Sequence, residues 1–169
     1  MKTISKITLI FLLLALLGYT SCIKKEEYPI EPVITWNSYA VMPDAKGYDS
    51  LSFLKISYTD GDGDIGLYDS DTVAPYKFNF FLKIFQMRNG SLQEIIFPDE
   101  ILNLNGRIPI LTPTGHNKNI KGDIELMIQM FFARPKILSD TIAFEIYIMD
   151  RALHQSNVIK SPLLPFREP

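Results

Sequence analysis

Apolar and polar positions alternate along most of the chain from residue 33 onward. A period of two is the signature of half-buried β-strands. Val33-Ile34-Thr35-Trp36 to Met42 reads as a first strand. Ser50 to Thr59 reads as a second, with Leu54, Ile56 and Tyr58 on one face. Lys77 to Met87 is a third, with Phe78, Phe80, Leu82 and Ile84 sharing a face. Asn89-Gly90 is a strong hairpin signal, because both turn positions need positive φ; Leu92 to Phe97 then returns as the partner. Arg107 to Leu111 predicts a short edge strand beside Pro109. Asp123 to Phe132 and Asp140 to Met149 are the clearest strands, and Ser156 to Lys160 a short closing one. No helical period persists after Cys22.

This pattern predicts an all-β fold, an antiparallel, broadly immunoglobulin-like β-sandwich of about 7–8 strands. The second faces of three strands are also apolar: Phe81 and Phe85, Met127 and Phe131, Tyr147 and Met149. A simple sandwich is polar there, so either the irregular stretch 98–122 or a partner covers this surface; the loop is the favoured cover. Trp36 reads as core rather than as a sugar-stacking ring.

The first 21 residues have a different character. Lys2 and Lys6 precede Ile7 to Gly18, an apolar run too short to span a bilayer but matching a signal-peptide core. Tyr19-Thr20-Ser21-Cys22 follows and resembles a bacterial lipobox, with Tyr19 where Leu is usual. Cys22 is the sole cysteine, so no disulfide forms within the chain, and its thiol is the expected lipidation site. The expected organisation is therefore signal peptide 1–21, lipidated Cys22 with a flexible tether over 22–32, and a β-sandwich domain over 33–169. Pro29 and Pro32 stiffen the tether. Lys25-Glu26-Glu27 resembles the export signal that sends Bacteroidota-type lipoproteins to the outer cell surface; its plainer reading is a solvated tether. The chain carries a formal charge of −2, and removing the leader makes the remainder more acidic. That charge gives no footprint for nucleic acid.

Tyr58-Thr59-Asp60-Gly61-Asp62-Gly63-Asp64-Ile65-Gly66 is the most distinctive stretch, with Asp69 and Asp71 close behind. Carboxylates at i, i+2 and i+4 must repel or share a cation, and hard oxygen donors at this density suit Ca²⁺. The sixth position of an EF-hand loop wants Gly and has Ile65, and no flanking helices are predicted, so the EF-hand is rejected. Two readings stand: a calcium loop of Asp60, Asp62, Asp64, Asp69 and Asp71, structural rather than catalytic, or a polar turn that uses Asp and Gly for turn chemistry alone.

A strand running into Asp-Gly-Asp-Gly-Asp-Ile-Gly, together with Ile148-Met149-Asp150-Arg151-Ala152 and Ser156-Asn157-Val158-Ile159, resembles uncharacterised Bacteroidota-type surface lipoproteins with an immunoglobulin- or cadherin-like β-sandwich. Those chains have Gly-Asn where this one has Leu153-His154, which puts the geometry of that turn in question. The resemblance implies fold and location, and is nearly silent on activity.

Catalytic chemistry finds little support. His116 and His154 are the only histidines, and no Gly-x-Ser-x-Gly elbow, HExxH or P-loop occurs. A glycosidase pair of carboxylates is disfavoured because the Asp60–Asp64 cluster reads as a ligand set without an apolar wall to raise a pKa. Asp49-Ser50-Leu51, Asp71-Thr72-Val73 and Asp140-Thr141-Ile142 resemble the acceptor for protein O-glycosylation in Bacteroidota, making Ser50, Thr72 and Thr141 candidate sites. The expected function is a non-catalytic binding or accessory module at the outer membrane or cell surface, lipid-anchored and meeting a glycan or protein partner. A structural surface protein with a calcium-rigidified loop is the alternative, and a small hydrolase a more distant one.

Overall fold

The computed structural model describes residues 26–97, 104–111 and 119–167. Among the described residues there are eight strands, β1 (Val33–Pro43), β2 (Asp49–Asp60), β3 (Phe80–Arg88), β4 (Ser91–Glu94), β5 (Ile120–Gln129), β6 (Thr141–Ile148), β7 (Ile159–Lys160) and β8 (Leu164–Pro165). They form two antiparallel sheets, one ordered β1-β2-β5 and the other β4-β3-β6-β7, with β8 also pairing β6. The fold is an all-β sandwich.

Alternation builds the core. Leu54 and Ile56 of β2 face Leu82 and Ile84 of β3 and Phe144, Ile146 and Ile148 of β6, all buried. Each such side chain contributes roughly 1.5–3 kcal/mol on burial. In β1 the phase changes. The register slips between Trp36 and Ser38, so Asn37 is an extra residue, and a bulge of this kind re-aims the residues that follow. Ile34 and Trp36 point inward before it, and Tyr39 after it, where its ring meets Phe144 at 5.4 Å. Trp36 packs on the core, as its sequence context suggested. Asn89 and Gly90 have φ of 51° and 77°, the hairpin geometry expected between β3 and β4.

Several expectations change. The third strand begins at Phe80, not Lys77. The strand expected to reach Phe132 stops at Gln129 and turns into α1 (Met130–Ala133), followed by a 3₁₀ turn at Arg134–Lys136. Phe131 and Phe132 therefore project from a helical turn rather than from a sheet face. Arg107–Leu111 is not a strand. Within it Pro109 makes an isolated bridge to Leu67, the preceding Gly106 makes another to Phe80, and Ile108 is buried in the core cluster. The described part of the 98–122 stretch thus fills an edge of the core rather than covering the second faces. Those faces partly cover themselves: Phe81 stacks on Tyr147 at 4.6 Å, and the Lys160 ammonium lies over the Phe85 ring. Met127 stays exposed.

The closing motif has a structural role. Ser156 N–H donates to the Ile148 carbonyl, and its Oγ accepts from Ile148 N–H at 3.0 Å. The Asn157 amide accepts from Ile34 N–H at 2.8 Å and donates to Ile34 O at 2.9 Å. One side chain thereby ties the C-terminal segment to β1. In the preceding turn Leu153 has φ of 68°, at the position where the resembled motif has Gly. A left-handed conformation costs a non-glycine residue about 1–2 kcal/mol, while glycine costs about 0.5–1 kcal/mol in chain entropy. Leu153→Gly is accordingly expected to stabilise the fold by about 0.5–1 kcal/mol, read as a higher urea midpoint with an unchanged slope. A lower midpoint would mean that the side chain matters more than the backbone strain.

Candidate metal centre

β2 delivers Asp60 to the end of the sandwich on the inward face, in phase with Leu54, Ile56 and Tyr58. Its side chain is 0% exposed. One carboxylate oxygen, Oδ2, accepts from Asp64 N–H at 2.9 Å and Ile65 N–H at 3.3 Å. These two bonds curl the glycine-rich loop back on itself and bring Asp62 and Asp64 beside Asp60. An oxygen from each of the three carboxylates lies within 4.8 Å of the others. Oδ1 of Asp60, of Asp62 and of Asp64 is buried without a hydrogen-bond partner. A buried acceptor left unpaired costs about 1–3 kcal/mol, and more when charged.

The electrostatics reflect this crowding. Burial, and then the Asp62 charge, push the Asp60 carboxyl up to about 6. Burial, Asp150 and Asp62 raise Asp64. The sequence suggested no wall that would raise a carboxyl pKa; the wall exists, because Asp60 sits at the core margin.

Asp150, which sequence reasoning did not assign, is fully buried beside this loop. Its Oδ1 accepts from His154 N–H at 2.8 Å, and its Oδ2 lies 2.9 Å from His154 Nδ1. That bond raises the His154 pKa. Arg151 donates to the Gly66 carbonyl at 3.0 Å, so the last turn braces the acidic loop. An Asp–His pair is two of the three members of a nucleophilic triad. The nearby Ser156 hydroxyl, however, is occupied by Ile148 N–H and Asn157 O.

Asp69 and Asp71 stand apart from the three clustered carboxylates. Asp71 Oδ2 accepts from Tyr68 N–H at 2.8 Å, a local turn bond, and Asp69 is exposed. Arg107 holds this part of the loop by donating to the carbonyls of Tyr68, Asp71, Tyr76 and Lys77. Of the candidate glycosylation sites, Thr72 is exposed in this loop, whereas Ser50 and Thr141 lie half-buried in β2 and β6. Cys22, Lys25 and His116 lie outside the described residues. Glu26 pairs with Lys121 at 2.7 Å, and Glu27 is exposed.

Two oxygens bound to one Ca²⁺ at 2.3–2.6 Å lie at most about 5 Å apart, so these three carboxylates are within reach of a single ion. The donor set is oxygen only, which suits a hard cation. No protein-family model, no curated protein and no solved structure matches this chain.

Proposed function

We propose that this chain is a lipid-anchored, non-catalytic β-sandwich of the outer membrane or cell surface, a binding or accessory module whose β2–β3 loop is rigidified by Ca²⁺. The supporting observation is the trio of buried, unpartnered Oδ1 atoms on Asp60, Asp62 and Asp64. A turn that used aspartates for local bonds alone would pair these oxygens, as Asp71 Oδ2 pairs with Tyr68 N–H in the neighbouring turn. When bound, Ca²⁺ would supply positive charge that Arg151, acting on Asp64, gives this cluster only in part. The three carboxylates hold it, and Asp60 anchors it to the core through β2. The ion's role is structural.

Anchoring rests on the leader and Cys22. Expressed in a lipoprotein-processing host, the chain is expected to incorporate labelled palmitate and fractionate with membranes. Cys22→Ser is expected to move it to the soluble fraction. A serine variant that stays as firmly bound to membranes sinks the anchored reading.

A further inference from the structure

The acidic loop is also where the chain enters the domain. Residues 26–31, expected as tether, lie against the loop and the start of β5. Gly61 N–H donates to the Pro29 carbonyl at 2.8 Å. Tyr28 N–H donates to Asn119 Oδ1 at 3.3 Å, the Asn119 amide donates to the Glu26 carbonyl, and Lys121 pairs with Glu26. Gly61, between Asp60 and Asp62, is the point of closest approach. A Cβ there would meet the carbonyl oxygen of Tyr28 and, at 2.7 Å, that of Pro29. Two backbone carbonyls from the entering segment are thus packed onto the residue separating two of the carboxylates. Ca²⁺ takes six to eight oxygens, more than three carboxylates supply singly.

We infer that cation binding by the Asp60–Asp64 loop and docking of residues 26–31 are one coupled equilibrium, so that Ca²⁺ clasps the anchor-proximal segment to the sandwich. This inference rests on the calcium loop and on the Cys22 anchor proposed above. Its physical basis is shared geometry. The segment fixes the backbone of Gly61, and Gly61 fixes the relative placement of Asp60 and Asp62. A loose segment frees that hinge and lets the carboxylates spread apart. A bound ion holds them together and presents Gly61 N–H to Pro29.

The consequence is mechanical. A docked segment leaves three residues between Cys22 and Glu26, so that the two are at most about 14 Å apart when the chain is fully extended. An undocked one leaves eleven residues before β1, with a reach of nearly 40 Å. The cation therefore decides whether this end of the sandwich is held close to the membrane or ranges freely above it.

Hydrogen exchange on the full processed chain, in EDTA and in saturating Ca²⁺, tests the inference alongside calcium calorimetry. The expected result is exchange at the Tyr28 and Gly61 amides at least about 10-fold slower with Ca²⁺. The double variant Glu26→Gln, Asn119→Ala loosens the segment at the surface without touching the Asp60, Asp62 or Asp64 carboxylates. It is expected to bind Ca²⁺ about 10-fold more weakly, because coupling between two sites is reciprocal and typically 5–150-fold. If wild type binds Ca²⁺ with measurable heat yet both amides exchange unchanged and the double variant binds equally well, the clasp is wrong and the calcium loop stands. If no Ca²⁺ binds, the loop reading and the clasp fall together.

Discussion

Calcium at 100 times its dissociation constant is expected to raise the unfolding free energy by about 2.7 kcal/mol, which for a domain of this size corresponds to a Tm increase of about 10 °C. The variants give the effect its sign. Asp62→Asn and Asp64→Asn each remove one negative charge from a cluster with three unpaired buried oxygens. In EDTA they are expected to leave the fold as stable as wild type or more so, because repulsion falls. In Ca²⁺ they are expected to lose the Tm increase.

The pH dependence separates the two states further. Asp60 titrates near 6 in the metal-free fold, above its unfolded value of about 4. A carboxyl raised in this way favours the native state while protonated, so its contribution is complete below about pH 4 and is lost as the pH rises through about 6. In EDTA, Tm is therefore expected to fall across that window. Saturating Ca²⁺, which favours the ionised carboxylates, is expected to reverse the slope. Differential scanning calorimetry over pH 4–8 with and without the ion reads all of this. A Tm indifferent to Ca²⁺ at pH 7 reduces the loop to a polar turn.

The second large effect is expected at Asn79, which is 1% exposed. Its Oδ1 accepts from Ile108 N–H at 2.7 Å and its Nδ2 donates to Ile108 O at 3.3 Å. Its own backbone N–H meets the Gly106 carbonyl, and its carbonyl accepts from Met149 N–H. Asn79 thus holds the 104–111 segment in the gap between the sheets, with Gly106 against Phe80 and Leu126. Asn79→Ala leaves a buried Ile108 N–H without its acceptor, at about 1–3 kcal/mol, and opens a small void besides. A total loss of about 2–4 kcal/mol is expected in urea unfolding, with faster amide exchange at Ile108. A loss below about 0.5 kcal/mol would show that the segment is held by its apolar contacts alone.

Asn79 also marks where reading along the chain stops. Between Phe78 and Phe80 it reads as a polar residue on the solvent side of a strand. It is buried because the strand begins only at Phe80 and a distant segment pairs with the residue before it. Nothing local to residue 79 encodes a partner 29 positions away. Asp150 escaped for the same reason. Its sequence context is a turn, and its burial beside Asp64 depends on how β6 is placed against the end of β2.

The strands themselves were legible because side-chain alternation is local. Leu54-x-Ile56-x-Tyr58 and Ile142-x-Phe144-x-Ile146-x-Ile148 need only a pleated backbone and one buried face to settle their orientation. The Asn89-Gly90 hairpin was legible because positive φ at both positions is a property of those residues. The three clustered carboxylates were legible as a spacing, while the separate placement of Asp69 and Asp71 was not, since local turn bonds and Arg107 set the path of that loop. By itself, then, the amino-acid order determined which segments are strands, which faces are apolar and which acids are close in the chain. Tertiary structure alone decided that Asp60 is buried without a counter-charge, that α1 interrupts the expected strand after Gln129, and that residues 26–31 rest on the acidic loop. Those are matters of desolvation and long-range contact, and both exist only once the two sheets have closed on each other.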